Sequence, residues 1–203
     1  RFDDEAETVN RLVPELQRQG VQAIVVLIHE GGVPTGDYNE CPGISGPIVG
    51  IVKKLDKAVD AVISGHTHRA YNCRIDGRLV TSGDKYGTIV TEMDLVLDPA
   101  TRDVTSASAN NVIVRTASFA KEPRLTALIA QYEALSVKLT QRVVGRIGAG
   151  IPREGNAAGE SPLGQIIADA QLAATRRAGA QLALMNPGGI RAALPLPADG
   201  QLR

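Results

Sequence analysis

An α/β fold is the expectation for this chain, and three observations carry it. Helical periods alternate with short β-branched runs in the N-terminal third, histidine-bearing loops fall at the carboxyl ends of those runs, and one isolated helical segment separates a long β-rich stretch from a second α/β stretch.

The elements follow in order. Asp3 and Asp4 precede a helical pattern carrying Val9, Leu12, Val13 and Leu16, which ends at Gly20, a natural helix terminator. Pro14 inside it predicts a kink or a break. Val21 to Ile28 is nearly continuous in apolar and β-branched residues, as a strand covered on both faces would be. His29 comes at its carboxyl end, followed by Glu30-Gly31-Gly32 and a loop rich in Gly, Pro, Asp and Asn. Pro47 to Leu55 reads as a helix starting after Ser45, with Ile48, Ile51, Val52 and Leu55 on one face. Val59 to Ser64 is a second short buried strand, ending in Gly65-His66-Thr67-His68. Open α/β sheets place their ligands in loops of this kind.

Beyond this point the pattern changes. Tyr71 to Ile75, Arg78 to Thr81, Thr88 to Leu97 and Val104 to Val114 read as successive strands, with Asp76-Gly77 a hairpin signal. Glu122-Pro123 breaks the chain. Leu125 to Leu139 then forms a helix with Leu125, Leu128, Ile129, Tyr132, Leu135 and Leu139 along its apolar stripe, a candidate linker between domains. Gln141 to Ile147 reads as a strand, Ser161-Pro162 caps a helix running towards Arg177, and Gln181 to Met185 reads as a last strand leading into Asn186-Pro187-Gly188-Gly189-Ile190-Arg191.

Composition narrows the functional classes. Lys plus Arg and Asp plus Glu both number 22, so no global field attracts nucleic acid or an anionic membrane. Trp is absent and aromatics are scarce, which argues against base stacking as a widespread theme. No apolar run is long enough to span a bilayer. The opening Arg1-Phe2-Asp3-Asp4-Glu5 has neither a starting Met nor a secretory signal, and the chain stops in a loop, as a trimmed chain or a fragment would. Cys41 follows His29 by a loop and Cys73 follows His68 by five residues. If the histidines converge, the cysteines start from neighbouring places, and an exported chain would pair Cys41 with Cys73; a cytosolic one would leave two buried thiols.

All three histidines lie at strand ends or just beyond. His66 and His68, two apart in what reads as an extended segment, would point the same way, and Gly65 lets the backbone approach closely. Imidazole suits Zn, Mn, Fe or Ni, so His29, His66 and His68 are the candidate metal ligands. Three imidazoles alone make at most one zinc site with an open position; a two-metal phosphoesterase also needs carboxylates, one of them bridging. No Asp-x-His or Asn-His-Glu string occurs, and Glu30, Asp37 and Asp84 read as solvated loop carboxylates. The second constellation is Asn186, Gly188, Gly189 and Arg191: a Gly pair offers backbone N–H groups to an anion, and Arg191 can fork onto phosphate.

These residues resemble a known family. Val25-Val26-Leu27-Ile28-His29 and Gly65-His66-Thr67-His68 resemble the last two metal-ligand motifs of the calcineurin-like metallophosphatases. Glu160-Ser161-Pro162-Leu163-Gly164-Gln165-Ile166-Ile167-Ala168-Asp169-Ala170, followed by Asn-Pro-Gly-Gly-Ile-Arg, resembles the start of the 5'-nucleotidase C-terminal domain. That order across a linker helix is specific to the 5'-nucleotidase/UDP-sugar hydrolase family, and the resemblance covers nearly the whole chain. It implies the C-terminal half of a metallophosphatase β-sandwich flanked by helices (1–117), a linker helix (118–140), and the start of an α+β nucleotidase domain (141–203). It further implies two divalent metal ions, Zn, Mn or similar, with His29 and His66 on one and His68 on the other. Asn186, Gly188, Gly189 and Arg191 would contact a nucleotide or nucleotide-sugar substrate, and a nucleic acid polymer is not expected.

The resemblance also implies a periplasmic, secreted or cell-surface protein, which suits a Cys41–Cys73 bridge. The family's Asp-x-His pair, bridging Asp and catalytic Asn-His are missing from this sequence, as is the aromatic pair that sandwiches the base. No catalytic residue is therefore expected here, and the chain by itself is expected to be inactive. An Arg often found just before the Glu160 segment is replaced by Gly159 or its neighbours. The expected activity is release of phosphate from nucleotides. The alternatives are a 2',3'-cyclic nucleotide phosphodiesterase, a UDP-sugar pyrophosphohydrolase, or a non-catalytic metal-binding module.

Overall fold

The computed structural model describes residues 3–203. The chain divides into two compact units, 1–120 and 121–203, and both helices and sheets are present, as an α/β chain requires.

In the first unit, helix α1 (Glu5–Arg18) starts where Asp4 accepts a hydrogen bond from the Glu7 amide at 3.0 Å. Pro14 does not break it into two elements. The proline forfeits one intrahelical bond, but Val13 beside it is fully buried, and the Asn10 side chain ties the helix to the Lys54 carbonyl and the Asp56 amide. Strand β1 (Val25–Leu27), helix α2 (Pro47–Lys54), strand β2 (Ala61–Ile63) and the hairpin β3 (Ala70–Ile75) and β4 (Arg78–Gly83) complete an α/β layer. The sheet order is β1-β2-β4-β3, with β1, β2 and β4 parallel and β3 antiparallel to β4. Asp76 and Gly77 both take positive φ, 52° and 77°, the twist that a two-residue hairpin needs.

The core packs α1 and α2 against this sheet through Val13, Ile48, Val52, Val62, Tyr71 and Val80. Strand β1 is shorter than its apolar run and is not covered on both faces, because Leu27 is 78% exposed. It pairs only with β2 among the described residues, and ladder bonds, not apolar character, set the length of a strand. The long ribbon β5 (Ile89–Leu97) and β6 (Val104–Ile113) forms its own antiparallel sheet. It is joined to β3 by Asn72 and Arg74, whose side chains donate to the Ala109 and Ala107 carbonyls of β6.

The second unit holds helix α3 (Pro123–Thr140), the short strand pair β7 (Gly145–Arg146) and β8 (Gln201–Leu202), and helix α4 (Pro162–Thr175). Ser161 caps α4 by accepting from the Gly164 amide at 3.0 Å. The apolar stripe of α3 is present but exposed along its whole length. The expected strand over Gln181–Met185 is not one: the segment is irregular, and Leu184 is 86% exposed. A strand needs a neighbouring chain to take its backbone groups, and no ladder partner lies beside this segment among the described residues. The expected strand over Gln141–Ile147 contracts to Gly145–Arg146 for the same reason. Among the described residues, no helix is long and apolar enough to cross a membrane.

Candidate functional site

Parallel pairing brings the carboxyl ends of β1 and β2 side by side, and so joins the two histidine loops. The joint is made of backbone. The Gly65 amide donates to the Glu30 carbonyl at 3.1 Å, and Thr67 Oγ1 donates to the Gly32 carbonyl at 2.7 Å. The approach is close enough that a Cβ on Gly31 would stand 2.1 Å from the Gly65 carbonyl oxygen. Beneath the loops runs a buried relay: the Gly32 amide donates to Tyr71 Oη at 3.2 Å, the phenol meets Ser64 Oγ at 2.5 Å, and Ser64 Oγ donates to the Thr81 carbonyl at 2.7 Å. Since Ser64 gives its single proton to Thr81, the phenol is the donor to Ser64. Burial pushes the Tyr71 phenol above its ordinary range.

On this scaffold His29 and His66 come together. Their rings meet edge-on with centroids 5.1 Å apart, and His66 Nδ1 lies 3.3 Å from His29 Nε2, both side chains exposed to solvent. Two imidazole nitrogens sharing a tetrahedral zinc at about 2.0–2.1 Å stand roughly 3.3–3.4 Å apart, so the spacing of the pair matches two ligands of one ion, while the contact itself has the geometry of an imidazole–imidazole hydrogen bond. His68 is elsewhere: its ring packs against Tyr86, with centroids 5.6 Å apart. The Gly65–His68 loop is not extended. His66 and His68 take φ of 67° and 55°, left-handed values that turn their side chains to different neighbours. Among the described residues, no group of three or more His, Cys, Asp or Glu is gathered as a metal site.

The carboxylates near the histidines are engaged locally. Glu30 accepts from the Gly31 amide at 2.8 Å and Asp37 from the Tyr38 amide at 2.7 Å, while Asp84 takes Thr88 Oγ1 and pairs with Lys85 at 3.4 Å. The loop between β1 and α2 is held from outside. Cys41 and Cys73 form a disulfide, and Asn39 exchanges hydrogen bonds with the Asn111 backbone. Buried Asn111 in turn donates to the Tyr38, Tyr71 and Ser82 carbonyls.

In the second unit, Pro187–Gly189 forms one 3-10 turn capped by Asn186 Oδ1, which accepts from the Gly188 amide at 3.0 Å. The Gly189 amide donates to the Asn186 carbonyl at 2.9 Å. Both glycine N–H groups that the sequence offers to an anion are thus used inside the turn. Asn186 and Arg191 are both exposed residues of this loop. Arg153 is the residue that sequence reasoning passed over: its Nη1 donates to the Ile190 and Arg191 carbonyls at 3.1 and 2.8 Å, clasping the backbone that carries Arg191. Nothing in the local sequence marks it, since 37 residues separate Arg153 from Ile190.

Residues 139–203 match the family described as 5'-nucleotidase, C-terminal domain. The chain is 33% identical over 195 residues to Endonuclease YhcR of Bacillus subtilis (strain 168), an alignment covering 95% of this chain and 15% of that protein. Its fold is similar to the solved 5'-nucleotidase precursor from Thermus thermophilus, with a TM-score of 0.66 and 25% identity, covering 96% of this chain and 39% of that one. It is also similar in fold to the calcineurin-like phosphoesterase YfkN from Bacillus subtilis, with a TM-score of 0.55 and 20% identity, covering 70% of this chain and 46% of that one. The chain therefore spans less than half the length of each of these proteins.

Proposed function

We propose, for a chain that stands with the 5'-nucleotidases by its C-terminal domain and by its fold, that it is part of a metal-dependent phosphoester hydrolase releasing phosphate from nucleotides. In this reading residues 1–117 form the C-terminal part of the metallophosphatase domain, 118–140 the linker helix and 141–203 the start of the nucleotidase domain. The observation that carries it is the His29–His66 pair, set 3.3 Å apart on two loops that are bonded to each other at the carboxyl ends of parallel strands.

His29 and His66 hold one divalent ion, and His68 belongs to a second. Such ions polarise a phosphoryl oxygen and activate water. The chain's own residues do the positioning. Gly31 lets the loops touch, whereas a Cβ on Gly65 would meet nothing; Thr67 and Tyr71 fix their spacing, and Asn186 with Arg191 bind the nucleotide, Arg191 as a forked donor to an anionic group. The three imidazoles supply no bridging carboxylate, so these 203 residues are inactive by themselves. The Cys41–Cys73 bond supports a periplasmic, secreted or cell-surface setting.

Two measurements test the reading. Calorimetry of this chain with Zn or Mn should show weak uptake that is abolished by His29→Ala/His66→Ala and reduced by His66→Ala/His68→Ala; wild-type uptake in both variants sinks the metal assignment. The longer protein that contains this chain, supplied with Mn or Zn, should release phosphate from AMP. Activity confined to a UDP-sugar, to a 2',3'-cyclic nucleotide or to single-stranded DNA would replace the substrate class, and the DNA arm matters because one relative is named an endonuclease.

A further inference from the structure

The neutral total of the chain conceals a split. The second unit, 121–203, carries ten Lys and Arg against six Asp and Glu, whereas residues 1–120 carry twelve against sixteen. Asymmetry of this kind points to a polyanionic partner for the basic half, because local charge and not the chain total sets the attraction in salt.

The excess is gathered on one strip. Residues 142–154 and 190–203 run antiparallel beside each other: the Val144 amide donates to the Leu202 carbonyl at 2.8 Å, the Ile147 amide to the Gly200 carbonyl at 3.0 Å, and Ile151 and Leu194 exchange bonds at 2.8 and 3.0 Å. Arg153 closes the far end on the Ile190 and Arg191 carbonyls. From Val144 to Arg153 such a strip extends at most about 30 Å. Arg142, Arg146, Arg153, Arg191 and Arg203 lie along it, all of them exposed. Two carboxylates oppose the five, Glu154 and Asp199, and Asp199 is already held by Arg203 at 2.6 Å. The Arg142 and Arg146 side chains make no hydrogen bond or ion pair with any described residue, so their forks are open to an anion.

The strip has a chemical direction. Guanidinium forks match pairs of phosphate oxygens, and one end of the strip is Arg191, which with Asn186 is the nucleotide contact proposed for this chain. No aromatic residue lies on either segment, so bases have no platform to stack on and the backbone of a ligand is what the strip can hold.

We infer that this strip is a track for the phosphodiester backbone of a single-stranded polynucleotide, one nucleotide of which sits at Asn186 and Arg191. The strand is single because a nucleotide must leave its base pair before it can be held individually. The inference rests on the reading of Asn186 and Arg191 as nucleotide contacts, and it extends the substrate class of that site from mononucleotides to polymers.

The test is fluorescence anisotropy of a labelled single-stranded oligothymidylate, titrated with the full 203-residue chain in EDTA over a series of salt concentrations. Arg142→Gln/Arg146→Gln should bind about tenfold more weakly, with a log–log salt slope smaller by about 1.4, two phosphates at about 0.7 each, while AMP binding stays as in wild type. Arg142→Lys/Arg146→Lys keeps both charges and should recover most of the loss. Both arginines are exposed and unpartnered among the described residues, so the variants should fold. An independent readout needs no variant: in NMR of the wild type, the oligonucleotide is expected to shift the amides of residues 142–147 and 200–203. Wild-type affinity in the Gln variant overturns the inference, as do shifts confined to other residues. So does equal binding of the duplex or of anionic phospholipid vesicles, since the strip would then be a surface for any polyanion. Because EDTA removes metal, failure of metal uptake or of phosphate release leaves this readout standing. A wild type that binds the oligonucleotide but not AMP sinks the mononucleotide contact and leaves the track.

Discussion

Gly31 sits where the two histidine loops touch, and only the absence of a side chain lets them do so. In Gly31→Ala the new Cβ meets a backbone oxygen at 2.1 Å and Thr67 Oγ1 at 2.8 Å, atoms that cannot rotate aside cheaply. The expected cost is on the order of 3 kcal/mol, with loss of the His29–His66 approach, read as a lower Tm together with absent metal uptake. Wild-type Tm and uptake would contradict the account. Tyr71→Phe acts on the same joint from below by leaving the buried Gly32 amide without an acceptor, at about 1–3 kcal/mol. It also carries a pH signature. The folded-state value of the phenol lies above its unfolded value of 10.0. Its contribution is therefore complete below about pH 10 and is lost as pH rises through the folded value, because the unfolded chain ionises first. Chemical denaturation from about pH 8 to 11 should show wild type losing stability faster than Tyr71→Phe, and parallel curves would remove Tyr71 as the cause.

Arg153 and the loop it clasps belong to the scale of elements, because its effect reaches the ligand through backbone. Arg153→Ala removes the donor shared by the Ile190 and Arg191 carbonyls and should weaken AMP binding about tenfold, or 1.4 kcal/mol. Arg153→Lys, able to reach one carbonyl at a time, should fall between, while Zn uptake by the first unit stays unchanged. An Arg153→Ala chain that binds AMP as wild type does would show that the clasp does not position Arg191. At this scale much was legible in the sequence. The β3–β4 hairpin follows from Asp76-Gly77 and α4 from Ser161-Pro162, since both signals act within four residues. The run Gln181–Met185 misled, because apolar character states a preference and a ladder requires a partner.

Over the whole molecule, the described residues bury their side chains unevenly. The buried apolar residues of the first unit run from Ala6 through Val80, whereas in the second only Leu163 and Ile190 reach that class. Hydrogen exchange should therefore protect the amides of Val52, Val62 and Val80 for much longer than those of α3 and α4 in the same chain; equal protection would contradict the uneven core. Reducing the disulfide that spans 32 residues should lower the stability of the first unit by about 2–4 kcal/mol. Thiol titration of the unreduced, denatured chain should find none reactive, and two would refute the pairing.

The sequence by itself determined the alternation of helix and strand, the placing of His29 and His66 at strand ends, and the resemblance to the 5'-nucleotidase family, because these depend on residue order and local spacing alone. Tertiary structure decided which side chains meet. Parallel β1–β2 pairing sets His29 against His66, left-handed backbone at His66 and His68 sends the two apart, and Arg153 closes on residues far along the chain. The physical reason is that distances between side chains from different elements follow from register, φ and packing, which no motif spacing encodes.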